Sequence, residues 1–121
     1  MEDRIVVIDP GTGDTLTVDR MDARIAETAI RLRRRGLRPL DEVVVCLESH
    51  LELVVVAEGV IAAGGVVVLL PPGEKLAVHV CDSTARMMIT DVPEAVEVAE
   101  RSHIRQVLHP AELRRTGCAV E

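Results

Sequence analysis

The chain has 121 residues, of which 48% are hydrophobic, with a formal net charge of −6 and no Phe, Tyr or Trp. This length is that of one domain with a substantial core, which must be built from aliphatic side chains and methionine. An acidic chain without aromatic rings lacks the basic surface and the stacking platforms that nucleic-acid binding needs. We therefore set that class of function aside.

Composition also bears on where the protein works. No apolar run reaches the roughly 18 residues of a membrane span without a charge, and the acidic N-terminus "MEDRIVV" is unlike a secretory signal. Three cysteines without framework spacing favour free thiols in a reducing compartment. Lys75 is the single lysine among 14 basic residues, a bias that by association indicates a high-GC bacterial genome. We expect a cytoplasmic, bacterial protein with no membrane or nucleic-acid partner.

The first elements along the chain are a hairpin and a helix. "RIVVI" (4–8) and "TLTV" (15–18) flank turn residues, which predicts a β-hairpin. From Asp19 the period becomes helical and the predicted amphipathic helix ends at Gly36. The residues predicted on its apolar face are Val18, Met21, Ile25, Ala29 and Leu32. The charged residues predicted on the opposite face are Arg20, Arg24, Glu27 and Arg31, with Glu27 and Arg31 spaced for an ion pair.

The middle of the chain reads as a strand followed by an unusual helix. "EVVVCL" (42–47) is apolar on both faces, as in a strand covered by helices on each side. Ser49 and Glu52 have the spacing of a capping box. The following segment is rich in β-branched residues, but its length and its end signals, including Gly64 after Ala63, favour a buried helix over a strand.

The remaining segments continue the alternation. "VVVLL" (66–70) is predicted to be another buried strand, followed by a short helix at about 75–81 and the strand "RMMIT". Asp91 is predicted to cap the helix "PEAVEVAERS", after which come the strand "IRQVL" and a closing helical turn, "PAELRRTG". The pattern predicts one α/β domain over residues 1–121. Its three layers would hold a largely parallel sheet with helices on both faces, preceded by the short N-terminal hairpin.

The stretch "GVIAAGGVVVLLPPGEK" (59–75) raises the question of a phosphate-binding loop. Such a loop needs a strand, then glycines, then a helix whose N-terminal amides face the anion. Here the order is helix, glycines, strand, and Lys75 lies beyond the strand. We interpret the glycines as the connection between a helix and a strand.

Other candidate sites have weak support in the sequence. Cys46 and His50 could form a nucleophile and base at the carboxyl end of a strand. The better interpretation is that Cys46 is a core residue and that His50 is a residue at the start of a helix. His79 and Cys81 point in different directions on a helix, and His109 and Cys118 lie on separate segments. The basic run 33–35 is interpreted as a solvated helix end. Without CxxC or HxxxH spacing, we predict no catalytic, cofactor-binding or metal-ligating residue and no cofactor.

The order of these signals resembles a known family. Residues 14–72 together with "CDSTARMMITD" (81–91) resemble the opening part of the adenylate-forming superfamily of acyl-CoA synthetases, amino-acid adenylation domains and luciferases. Members typically begin with "LTY-x-EL", "GL-x-P-GD-x-V", "NS-x-E", "AGAVVVPL-x-P" and "DS-x-A-x-x-LIT" in that order. The match covers roughly residues 15–91, and its specificity lies in the order and spacing of the parts.

The chain departs from the family pattern in several places. Val18 stands where tyrosine is usual, Leu40 where a glycine precedes Asp41, and Leu53 where phenylalanine is frequent, and the segment after "VVVLLPP" is short. In the family, the phosphate loop, the acidic residues for magnesium and ribose, and the C-terminal catalytic lysine all lie downstream. The resemblance thus implies an N-terminal scaffold without the adenylation site.

Three hypotheses remain open at this point. The first is a truncated, non-catalytic homologue that acts as a binding or interaction module. A homodimer would then cover the outer strands and the apolar helix 50–63, since monomers rarely expose large apolar patches. The second is the N-terminal subunit of a split acyl- or aminoacyl-adenylating ligase, completed by a partner polypeptide. The third is the opening piece of a longer protein.

Overall fold

The computed structural model describes residues 5–8 and 15–113. In chain order the elements are β1 (Ile5–Ile8), β2 (Thr15–Thr17), α1 (Val18–Arg34), β3 (Glu42–Cys46), α2 (His50–Ala62), β4 (Val66–Leu69), α3 (Leu76–Asp82), β5 (Met87–Thr90), α4 (Pro93–Glu100), β6 (Gln106–Leu108) and a 3₁₀ turn (Pro110–Leu113). The end of the predicted closing turn, residues 114–117, and Cys118 lie outside the described residues.

The sheet has four parallel strands in the order β4-β3-β5-β6. Val44 of β3 is in register with Val68 of β4 on one side and with Met88 of β5 on the other. β1 and β2 pair antiparallel as a separate two-stranded sheet, which confirms the predicted hairpin. The alternation of strands and helices therefore produces the predicted parallel α/β architecture.

Helices cover both faces of the parallel sheet. One core joins α1 and α2 to one face, through Leu32, Val56 and Val60 against Val43 and Val45. The second core joins α3 and α4 to the other face and includes Val44, Cys46, Leu76, Val80, Met88, Ala95 and Ala99. The side chains of adjacent β3 residues thus lie in different cores. Both faces of the strand are therefore buried, and apolar residues do not alternate with polar ones in its sequence.

The interface between α1 and α2 differs from the sequence prediction. Arg24 was predicted on the solvent face of α1, but Nη2 of Arg24 lies 2.7 Å from Oε1 of Glu52 in α2. Thr28 is buried, whereas Val18, predicted on the apolar face, is partly exposed. The buried face is rotated towards Thr28 because Gly59 of α2 has no side chain there and the two helices approach closely.

The one ion pair predicted within α1 is confirmed. Nε of Arg31 lies 2.9 Å from Oε2 of Glu27, the expected spacing of four residues along the helix. Arg31 is one turn before the end of the helix, where a positive charge also complements the helix dipole. The charges of α1 thus stabilise the helix itself and, through Arg24, its packing on α2.

Most of the predicted helix boundaries are confirmed, and one cap is wrong. Oγ of Ser49 accepts from the amide of Glu52 at 3.3 Å, as a cap for α2. Gly36 and Gly64 follow α1 and α2 with φ of 99° and 92°. Asp91 was predicted to cap α4, but Val92 is the capping residue and makes no side-chain bond to the helix. The Asp91 carboxylate instead accepts from the amide of Glu48 after β3.

Two predictions about burial need correction. β4 was predicted to be buried, but it is the last strand at one edge of the sheet, and Val66 and Leu69 are 41% and 55% exposed. Helix α2 was expected to need a cover, yet α1 and the sheet already bury Leu51, Val55, Val56 and Val60. Within the described residues no helix combines the length and hydropathy required to cross a membrane.

Candidate functional site

The strand order creates one place where ligands commonly bind in open α/β sheets. The chain passes from β3 to β4 on one side and then to β5 on the other side of β3. The loops that follow β3 and β5 therefore run in opposite directions from neighbouring strand ends, which is a topological switch point. The residues at this crevice are 46–50 and 90–93.

Polar atoms at the switch point bind one another across the two loops. Oγ1 of Thr90 donates to the carbonyl of Cys46 at 2.6 Å and accepts from the amide of Val92 at 3.0 Å. Oδ1 of Asp91 accepts from the amide of Glu48 at 3.1 Å. These bonds hold the end of β3 against the start of α4, so the side chains of Thr90 and Asp91 stabilise the fold.

The Cys46 and His50 pair lacks the properties of a nucleophile and base. Cys46 is fully buried in the core under α3 and α4, whereas His50 is exposed at the first turn of α2. Burial raises the pKa of the Cys46 thiol, a hydrogen bond with the Thr90 side chain opposes this, and the carboxylate of Asp91 adds to the increase. The thiol is therefore protonated at neutral pH, as expected of a core cysteine.

The glycine-rich stretch has the order predicted for it. Gly59 lies within α2, Gly64 follows its end, and Gly65 precedes β4. A Cβ atom on Gly65 would lie 3.0 Å from Val60 Cγ1 and 3.2 Å from the carbonyl of Asp41. These glycines permit close packing and a tight turn, and Lys75 lies after β4, at the start of α3.

The other candidate groups do not converge on a site. His79 and Cys81 are exposed on α3, and Nδ1 of His109 accepts from the amide of Ala111. The predicted solvated end of α1 has a structural contact, because Arg33 donates to the carbonyl of Ala62 at the end of α2. Across residues 5–8 and 15–113 no group of three or more His, Cys, Asp or Glu has the arrangement of a metal site.

One apolar surface feature is the exposed edge that we call the β4 edge, defined by Ile61, Val66 and Leu69, each between 41% and 57% exposed. β4 pairs with β3 alone among the described strands. The amide of Val66 donates to the carbonyl of Asp41, just before β3, and that of Leu70 to the carbonyl of Val45 in β3. The alternating backbone groups of Val67 and Leu69 therefore face away from β3. This edge offers both hydrogen-bonding groups and apolar side chains to another surface.

Sequence comparison provides independent information about the chain. The model of the AMP-binding enzyme family matches residues 1–119. Polyketide synthase PksN from Bacillus subtilis (strain 168) is 28% identical over 98 residues, which are 77% of this chain and 2% of that protein. Malpibaldin synthetase from Mortierella alpina is 33% identical over 90 residues, 69% of this chain and 2% of that protein. The chain thus spans about 2% of the length of these curated relatives.

Structural comparison agrees with the sequence match at the level of fold. The O-succinylbenzoate coenzyme A synthetase MenE from Bacillus subtilis, solved with ATP and a magnesium ion, superposes with a TM-score of 0.80. The two are 21% identical, and the match covers 98% of this chain and 32% of the synthetase. The shared feature is the parallel sheet with helices on both faces.

Proposed function

The chain belongs to the AMP-binding enzyme family, and from this premise we propose that it is a single, non-catalytic α/β domain that acts by association through the β4 edge. A second copy of the chain is the proposed partner. A cytoplasmic location is part of the proposal and fits the free thiols of Cys46 and Cys81.

The observation that carries the proposal is the composition of the β4 edge. Val66 and Leu69 lie on an edge strand and are half exposed, and Ile61 is exposed at the end of the adjoining helix. Soluble proteins usually protect an edge strand with charges, proline or a covering segment, but "VVVL" carries neither charge nor proline. Pairing with the same strand of a second copy would satisfy the backbone groups of both strands.

The absence of catalysis by this chain alone is supported by the switch-point geometry. The thiol of Cys46 is buried and protonated, and the side chains of Thr90 and Asp91 already bind the backbone of neighbouring segments. We expect the purified chain to show no ATP-dependent pyrophosphate exchange with any member of a panel of amino acids and carboxylic acids. Exchange above that of a heat-treated sample would refute the non-catalytic part of the proposal.

A second candidate function is supported by the length comparison. The chain spans 2% of the two curated relatives and 32% of the solved coenzyme A synthetase. In this alternative the chain supplies the N-terminal lobe of a split adenylating ligase, and the other polypeptide covers the β4 edge. Co-expression with candidate polypeptides that carry the phosphate loop tests this alternative. A stable complex with pyrophosphate exchange would favour it, and failure of every candidate to bind would count against it.

A further inference from the structure

A groove of about 650 Å³ lies at the end of the sheet opposite the switch point. It is bounded by the segment after α1, by the amino ends of β3, β5 and β6, and by the loop before β5. This volume is within the range of small-molecule sites in proteins. Its charged lining residues are Arg35, Arg38, Asp41, Glu42, Arg86 and Arg105.

The two carboxylates of the groove bind backbone amides. Oδ2 of Asp41 accepts from the amide of Arg38 at 2.9 Å, and Oε1 of Glu42 accepts from the amide of Thr84 at 3.0 Å. Both bonds shape the loops that form the walls of the groove. The two carboxylates keep their charge and offset two of the four positive charges in the lining, those of Arg35, Arg38, Arg86 and Arg105.

Three of the four arginines have no carboxylate partner among residues 15–113. Arg35 lies 3.2 Å from Glu112, but no ion pair within 4 Å is formed by Arg38, Arg86 or Arg105 in that part of the chain. These three differ from other arginines that are unpaired in the same part of the chain, such as Arg20 and Arg101, because they line one concave surface.

Main-chain bonds fix the positions from which these arginines extend. The amides of Arg105 and Gln106 both donate to the carbonyl of Arg86, at 2.8 and 3.0 Å, so the segments that precede β5 and β6 are joined. Nε2 of Gln106 donates to the carbonyl of Arg35 at 2.8 Å, which joins β6 to the end of α1. The three walls of the groove are thus held together by the fold itself.

We propose that this groove binds a small polyanion, a molecule that presents two or more phosphate or carboxylate groups to Arg38, Arg86 and Arg105. Guanidinium groups stay charged at any physiological pH and can bind such groups through two parallel hydrogen bonds. The groove is at the opposite end of the sheet from the switch point, so this site is separate from the crevice between β3 and β5. The proposal does not depend on the oligomeric state or on the absence of catalysis.

Isothermal titration calorimetry with pyrophosphate and with citrate, at 0.15 M NaCl, tests the proposal. We expect saturable binding of at least one of the two, and which one binds identifies the preferred head group. The double variant Arg86→Gln/Arg105→Gln should bind about a hundredfold more weakly, about tenfold for the charged hydrogen bonds of each arginine removed. Far-UV circular dichroism confirms that the variant remains folded.

The matched control is Arg20→Gln/Arg101→Gln, which removes the same charge from exposed positions outside the groove lining. This control should bind the anion as the unmodified chain does. Equal weakening in both double variants would show a general charge effect and overturn the site. Failure of both pyrophosphate and citrate to bind at millimolar concentration would also overturn it.

Discussion

Both carboxylate oxygens of Glu52 accept hydrogen bonds from Nη2 of Arg24, at 2.7 and 2.9 Å, and this pair joins α1 to α2. The Glu52 side chain is mostly buried, so removal of Arg24 leaves a carboxylate in a poorly solvated position. We expect Arg24→Leu to reduce the free energy of unfolding by about 2 kcal/mol. Urea denaturation followed by far-UV circular dichroism measures this change.

A double variant separates the ion pair from simple loss of packing. Arg24→Leu/Glu52→Leu should cost at least about 1 kcal/mol less than the sum of the two single variants, because no unpaired charge remains. Strict additivity of the two substitutions would contradict a direct interaction between these side chains.

The second prediction concerns Gly59, where α2 approaches α1. A Cβ atom at this position would clash with the Cγ2 methyl group of Thr28 and lie 2.7 Å from its Cβ, so the helices would have to separate. Gly59→Ala should therefore lower the free energy of unfolding by about 1 to 2 kcal/mol, although alanine has the higher helix propensity. In a Thr28→Ser background, which removes the crowding methyl group, the same substitution should cost less. A stabilising effect of Gly59→Ala would contradict the close approach.

The third prediction concerns Leu40, a position at which members of the family usually have a glycine. Leu40 adopts φ of 71°, a left-handed conformation that costs a side-chain-bearing residue about 1 to 2 kcal/mol. Its side chain is 79% exposed, so little burial would be lost on its removal. Leu40→Gly should raise the free energy of unfolding by about 0.5 to 1 kcal/mol, after allowance for the more flexible unfolded chain.

Leu40→Ala is the matched control for this effect. It removes the leucine side chain but keeps a Cβ atom, so the backbone strain remains and stability should change little. Equal stabilisation by glycine and alanine would show that the exposed leucine, and not the backbone conformation, is the source of the cost.

The fourth prediction concerns the thiol of Cys46. Burial raises its pKa, so the thiol should not react with iodoacetamide at pH 8 in the folded protein. In the double variant Cys81→Ser/Cys118→Ser, we expect alkylation of Cys46 only after urea is added. A variant that retains Cys81 alone, exposed on α3, should react without urea. Rapid labelling of Cys46 in the folded state would contradict its place in the core.

The raised pKa of Cys46 also predicts the sign of a pH effect. In the unfolded chain the thiol loses its proton near its ordinary pKa of 9.0, whereas in the folded chain it retains the proton to higher pH. Above about pH 9 the folded state therefore binds more protons, and the free energy of unfolding should fall as pH rises. Cys46→Val should show a smaller fall over this range than the unmodified chain.

Much of the fold could be predicted from local sequence signals. Ser49, Gly36 and Gly64 mark helix ends, and these boundaries were confirmed because such signals act within one turn of the chain. Asp91 was assigned wrongly as a cap because its carboxylate binds the amide of Glu48, 43 residues away. Contacts at such distance depend on strand order, which local patterns do not report.

Dependence on strand order also explains why the sequence analysis did not find the β4 edge or the arginine-lined groove. An apolar run such as "VVVL" is compatible with a central or an edge strand, so the exposure of Val66 and Leu69 was not foreseen. The strand order of doubly wound sheets could have revealed this exposure. In that order the second parallel strand along the chain, here β4, lies at the edge of the sheet. Arg38, Arg86 and Arg105 are far apart in sequence and come together only because parallel strands begin at the same end of the sheet.

The central claim is that the chain associates through the β4 edge, and its solution mass tests this most directly. Size exclusion with light scattering, using refractive index because the chain has no Trp or Tyr, should give a single species of twice the 13.2 kDa chain mass. Leu69→Lys should convert it to a monomer, because a charge on the edge opposes strand pairing. Ile30→Lys, at a 42% exposed position on α1, should remain a dimer. A monodisperse monomer of the unmodified chain would contradict the account.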